Sequence, residues 1–170
     1  MLLKDNRTEF TPAPEGLHQA VCVDVIDLGL QENKWGKKQM LRLSWQIEEI
    51  NDKTSKRFMV GQQFTQSLHK KSRLRPLLEA WRGKKFTDEE LQGFDPEVLI
   101  GVNCQVQVVH SLGTEGQVYA NVQAVVPAPR GAVKMRPENY VRVKDRTDED
   151  NNGHDETPIK SNDADDDVPF

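Results

Sequence analysis

The sequence predicts a mainly β domain: five strands with a helical insertion between the third and fourth, then a disordered acidic tail. Three observations support this. Five separate stretches are rich in β-branched residues or alternate apolar with polar. One stretch repeats its apolar residues at helical spacing instead. Beyond Arg146 apolar content almost vanishes.

The chain has 170 residues, of which 36% are hydrophobic and 29% charged. That length holds one ordinary domain with chain to spare, and the low apolar fraction means that part of it joins no core. Charge locates that part. Residues 1–146 carry 22 Lys/Arg against 18 Asp/Glu, a balance of +4, while residues 147–170 carry 1 against 9, a balance of −8. The expected organisation is therefore an extended N-terminal segment (1–16), a folded domain (17–146) and an acidic tail (147–170). Between Lys34 and Lys85 there are 14 basic and 4 acidic residues, a density that suits either a polyanion or a well-solvated surface.

Pro12, Pro14 and Gly16 punctuate the lead-in, and the first strand follows from Leu17 to Leu28. Val21, Val23 and Val25 fall on one face and Ala20, Cys22 and Ile26 on the other, as in a strand covered on both sides. Gly29 is expected to open a polar loop that includes residues 31–38. In the second strand Leu41, Leu43, Trp45 and Ile47 face the core while Met40, Arg42, Ser44, Gln46 and Glu48 face water. The third runs from Arg57 to Thr65 with Phe58, Val60 and Phe64 inward and a bulge expected at Gly61.

The period then changes. Leu74, Leu77, Leu78 and Trp81 form one helical stripe, Pro76 lies in the first turn, and Gly83 stops the helix. Thr87 and Glu90 have capping-box spacing, and Asp95-Pro96 can cap a further turn. A fourth strand spans Val102 to His110, with Val102, Cys104, Val106 and Val108 alternating. A fifth spans Val118 to Val126, with Val118, Ala120, Val122, Ala124 and Val126 alternating. Pro137 to Val143 reads as an edge segment or a docked extension. The composition beyond Arg146 cannot bury enough surface to offset the entropy of ordering it.

Three strands, a helix and two strands is the element order of the OB-fold, a small partly open barrel that binds oligonucleotides on one face and in its loops. A small sandwich has the same strand count. Binding an unpaired strand takes cations along the phosphates and aromatic faces for the bases. Trp35, beside Lys34, Lys37 and Lys38, is the candidate stacker; the competing reading is a lid folded onto the core. Arg42 and Arg57 extend the basic line on the second and third strands. Lys70, Lys71, Arg73 and Arg75, with His69 before them, form a second cluster at the helix entrance. There phosphate contact, partly through first-turn N–H groups, competes with a solvated helix face. Trp45 and Trp81 sit on apolar stripes and read as core, while Phe64 and Tyr119 stay open.

The most specific signal is Asp165-Asp166-Asp167-Val168-Pro169-Phe170, with Asp163 just upstream. It resembles the terminus of bacterial single-stranded DNA-binding proteins, in which a disordered linker leads to aspartates, an aliphatic residue and Pro-Phe. The resemblance implies docking onto replication, recombination or repair proteins: the Phe ring and carboxylate enter a pocket and the aspartates meet basic side chains. A residue appended after Phe170 would abolish it. The stretch from Ser67 and Leu68 through Lys71, Ser72, Leu74 and Arg75 to Leu78, Ala80, Trp81, Arg82 and Gly83, then Phe86, Thr87, Gly93, Phe94 and Asp95, is similar to single-stranded DNA-binding proteins of phages and mobile elements. The body has no match to the ordinary bacterial barrel, which leaves the usual tetramer unsupported and the choice between monomer and homo-oligomer open.

The expected function is sequence-independent binding and protection of single-stranded DNA, with partner enzymes recruited by the tail. A protein that mimics the tail to occupy host repair or replication proteins, without holding DNA, is the alternative. Attraction between the tail's charge and the basic body predicts autoinhibition. No catalysis, metal or cofactor is expected: His18, His69, His110 and His154 lack metal-ligand spacing, and no nucleophile or phosphate-loop signature occurs. Asp24 and Asp27 are the carboxylates from which a nuclease site would have to start. Cys22 and Cys104 read as buried thiols. With no secretory h-region and no apolar run of membrane-spanning length, the expected setting is the cytoplasm of a bacterial or phage-infected cell.

Overall fold

The computed structural model describes residues 11–147. Five strands, β1 (Gly16–Asn33), β2 (Gly36–Asn51), β3 (Lys56–Thr65), β4 (Asn103–Leu112) and β5 (Val118–Pro127), form one antiparallel sheet in the order β3-β2-β1-β4-β5. A single α-helix, α1 (Leu74–Arg82), lies between β3 and β4, followed by short 3-10 turns at Glu90–Gln92 and Pro96–Leu99. Strands β3 and β5 are the sheet edges; they approach each other, but no ladder joins them among the described residues.

Strand β1 organises the sheet, because its first third, Gly16 to Val21, pairs with β4 and the stretch from Ala20 to Asn33 pairs with β2. Two register shifts, at Cys22/Asp24 and Asp27/Gly29, bend it between these partners. The first shift corrects the face assignment expected from simple alternation. Val25 joins Ala20 and Cys22 in the main core, while Val21 and Val23 lie outside that cluster. The second shift absorbs Gly29, which takes φ 66° and donates its N–H to the Asp27 carboxylate at 2.8 Å. The strand therefore continues past Gly29 to Asn33 instead of opening a loop there, and β1 and β2 meet in a tight hairpin with Lys34 and Trp35 at its tip.

Inside, Leu41, Leu43, Trp45 and Ile47 of β2 pack with Phe58, Val60 and Phe64 of β3. The register of β3 on β2 runs unbroken through Gly61, so the expected bulge is absent there; the shift lies between Gln46 and Ile50. In β5 the expected alternation holds to Val122 and then inverts, because the register shifts opposite Gln107/Val108 and buries Val125 instead of Val126. Val102 precedes β4 and is partly exposed, so the fourth strand starts one residue later than its pattern suggests.

Helix α1 buries Leu74, Leu78 and Trp81 against this core. The Trp81 ring lies 5.9 Å from Trp45, tilted by 55°, and donates its N–H to the Asn103 carbonyl at 3.1 Å. Such an aromatic pair adds about 0.5–1.5 kcal/mol beyond its area. Gly83 ends the helix in the left-handed conformation, φ 74°. The capping box forms as its spacing requires: Glu90 N donates to Thr87 Oγ1 and Thr87 N to Glu90 Oε1.

Both flanks belong to the folded body. Ala13 is fully buried, its carbonyl 2.6 Å from His110 Nε2, so the extended segment packs onto the fold from Ala13 onward. At the other end residues 132–146 lie across the outer face of the sheet as a strap. The wet face expected for β2 is thereby corrected: Ser44 and Gln46 are buried, and Gln46 exchanges two hydrogen bonds with the Glu138 backbone. The tail beyond Thr147, including Asp165 to Phe170, lies outside the described residues.

Candidate nucleic-acid interface

The hairpin tip places its residues by strand geometry. Trp35 is 54% exposed, which removes the reading of it as a lid on the core. Asn33 Oδ1 accepts its backbone N–H at 2.9 Å, and the Lys34 ammonium sits 5.3 Å from the ring centroid. Lys37 lies across from Glu32 and Lys38 across from Gln31, so the two lysines point to opposite faces of the ribbon.

The second basic cluster starts from the same end of the sheet. Gln66 donates its backbone N–H to the Gln39 carbonyl and its side-chain amide to Asp27 Oδ1 and the Met40 carbonyl. From there the turn is fastened locally, with His69 N donating to Ser67 Oγ and Lys71 N to His69 Nδ1. Lys70, Lys71 and Arg73 are exposed on it. The structure thus brings the hairpin and the 66–73 turn to one end of the molecule. The helix N-terminus contributes less than expected, because Ser72 Oγ already accepts Arg75 N and Pro76 has no N–H. Arg75 is turned back onto the Leu68 carbonyl and Glu79.

Arg42 and Arg57 lie elsewhere, on the strap side. Arg57 donates to the Arg136 carbonyl at 2.9 Å and to Glu138 at 3.1 Å, so it fastens the strap. Arg42 shares the outer face of β2 with Ser44 and Gln46. An open cleft of about 540 Å³ runs between strap and sheet near Gln19, Glu48 and Arg57.

Asp24, named from the sequence only as a carboxylate from which a nuclease site would have to start, has a structural role. It is 1% exposed and sealed beneath the strap. Its carboxylate accepts the Tyr140 hydroxyl at 2.6 Å, Arg142 Nε at 3.0 Å and the Val143 N–H at 2.9 Å. Arg142 reaches on to Glu97 with two bonds of 2.7 and 2.9 Å. The Arg142 hydrogen bonds hold the Glu97 carboxyl below its ordinary range, and Glu97 in turn, with Asp24, raises the guanidinium further. Burial first, then the bond to Asp24, pushes the Tyr140 hydroxyl upward, so the phenol stays a donor. Asp24 is thus a clasp, and Asp27 is engaged with Gly29 and Gln66. Among the described residues no group of three or more His, Cys, Asp or Glu is placed to hold a metal.

Cys22 and Cys104 are free and buried, and burial pushes the Cys22 thiol up to about 12. No helix among the described residues is long and apolar enough to cross a membrane. No family model matches this chain, and no curated protein does.

Proposed function

We propose that this protein binds single-stranded DNA with little sequence preference through an OB-type barrel, and recruits replication, recombination or repair proteins through Asp165 to Phe170. Support for the barrel comes from the strand order, from a long bent β1 shared between β2 and β4, and from the helix between β3 and β4 that packs Trp81 into the core. The edges β3 and β5 would form its seam. Binding would take place in the cytoplasm of a bacterial or phage-infected cell and requires no catalysis or cofactor.

The observation that carries the reading is Trp35. A tryptophan more than half exposed at a hairpin tip, with a lysine over its ring and others beside it, offers both ingredients of strand binding. Trp45 and Trp81 are buried, so fluorescence quenching on titration with oligo-dT reports on Trp35. The expected result is strong quenching that weakens with salt, the log affinity falling by about 0.7 per phosphate contact for each log unit of salt. Trp35→Ala should remove the quenching. Followed by anisotropy of a labelled oligonucleotide, it should weaken affinity by about 1–3 kcal/mol. If the wild-type chain ignores oligo-dT even at low salt, the reading is discarded in favour of a tail mimic that holds no DNA.

A further inference from the structure

The strap that covers the outer face of β1 and β2 has a composition that its structural role does not require. Residues 132–146 hold five Lys/Arg against two Asp/Glu, a balance of +3 in 15 residues, against +4 for the whole of residues 1–146. Sealing a face that carries one buried carboxylate, Asp24, does not require such an excess of positive charge.

Strand register shows where this charge lies. Along β2, Lys38, Arg42, Ser44 and Gln46 share the outer face, and their neighbours on β1 include Gln31, Ile26 and Asp24. Asp24 fixes the Tyr140 hydroxyl at 2.6 Å, and on the same face of β1 the next residue, Ile26, pairs with Arg42. The Arg146 guanidinium lies 5.4 Å from the Tyr140 ring centroid, itself positioned by a 3.1 Å bond from Nε to the Val141 carbonyl. Tyr140, Arg42 and Arg146 are all half-buried, so each keeps part of its surface open to solvent. From Arg42 to Lys38, the residues of this face that keep accessible surface, the strand covers about 13 Å, room for part of the ~4–16 nucleotides that one OB-type face accommodates.

We propose that the strap forms part of the strand-binding surface, with Tyr140 as a second stacking platform and Arg42, Arg146 and Lys38 along the phosphates. This rests on the reading of the chain as a single-stranded DNA binder. The DNA path then runs from Trp35 at the hairpin tip, down the outer face of β2, to the edge of the strap. Asp24 is a positioning residue: it holds the Tyr140 ring from behind and does not meet the ligand.

The test uses the full chain with oligo-dT carrying 5-iododeoxyuridine, cross-linked by light and mapped by mass spectrometry, beside affinities of variants. Cross-links are expected at Tyr140 as well as Trp35. Arg146→Glu should weaken binding at least tenfold under conditions where its unfolding curve shows the chain fully folded. Tyr140→Leu should lose about 5- to 100-fold, and Tyr140→Phe, which keeps the ring but loses the bond to Asp24, should fall between it and wild type. If the strand binds and quenches Trp35 while Tyr140 never cross-links and Arg146→Glu binds as tightly as wild type, the strap is a cover only and the DNA reading survives. If the wild-type chain does not bind the oligonucleotide, both ideas are overturned.

Discussion

A carboxylate as deeply buried as Asp24 is tolerable only while its partners are in place. Three donors from the strap meet it, and removing it leaves the Arg142 guanidinium, the Tyr140 hydroxyl and the Val143 N–H without that acceptor beneath the strap. Asp24→Ala should therefore cost about 3–5 kcal/mol, read as a lowered urea midpoint. A loss below 1 kcal/mol would mean that the clasp is not closed in solution. Glu90 makes a pH-dependent contribution of a different kind. Its hydrogen bonds from Arg82 and Thr87 lower its pKa from 4.5 to about 2. With the folded value below the unfolded one, its stabilisation is complete above about pH 4.5 and lost as pH falls toward about 2. The stability gap between wild type and Glu90→Gln should close across that window, and a carboxyl titration by NMR should place the Glu90 midpoint near its lower end.

Among the elements, α1 was readable almost to the residue. Its stripe, its early proline and its terminal glycine are all local signals, and Gly83 shows why: at φ 74° a side chain is strained whatever the space around it. The nearest atom to an added Cβ is Pro127 Cγ at 3.7 Å, an ordinary contact, so the backbone alone sets the penalty. Gly83→Ala should cost about 1–2 kcal/mol in thermal or urea unfolding. Strand existence was equally readable, and so were the inward faces of β2, β3 and β4, but not those of β1 and the end of β5. Alternation predicts a constant face, whereas a single register shift exchanges the two, as at Cys22/Asp24 and opposite Gln107/Val108. The Asn33 to Gly36 turn was also missed, since a polar stretch around Gly29 looks the same whether it loops out or continues as an exposed ribbon.

For the molecule as a whole, charge is divided between a body of +4 and a tail of −8. If the tail competes with DNA for the same surface, removing residues 147–170 should tighten oligo-dT binding at low ionic strength. The gain should fade as salt approaches 0.15 M, where the screening length is about 8 Å. Equal affinities for the two forms at low salt would exclude competition. The same comparison made on Arg146→Glu would show whether the strap is where the tail and the strand meet.

Composition and periodicity were sufficient to establish five strands, the helix, its caps and the separation of a basic body from an acidic end, because each depends on neighbours within one or two turns of chain. Which candidate cations stay on open surface, and which are tied into the fold, was decided by contacts across 79 to 119 residues: Arg57 on Arg136, Gln46 on Glu138, Asp24 on Tyr140, Arg142 and Val143. A polar strand face has the same local pattern whether water or a distant segment covers it. Only the folded chain brings the strap close enough to replace water there.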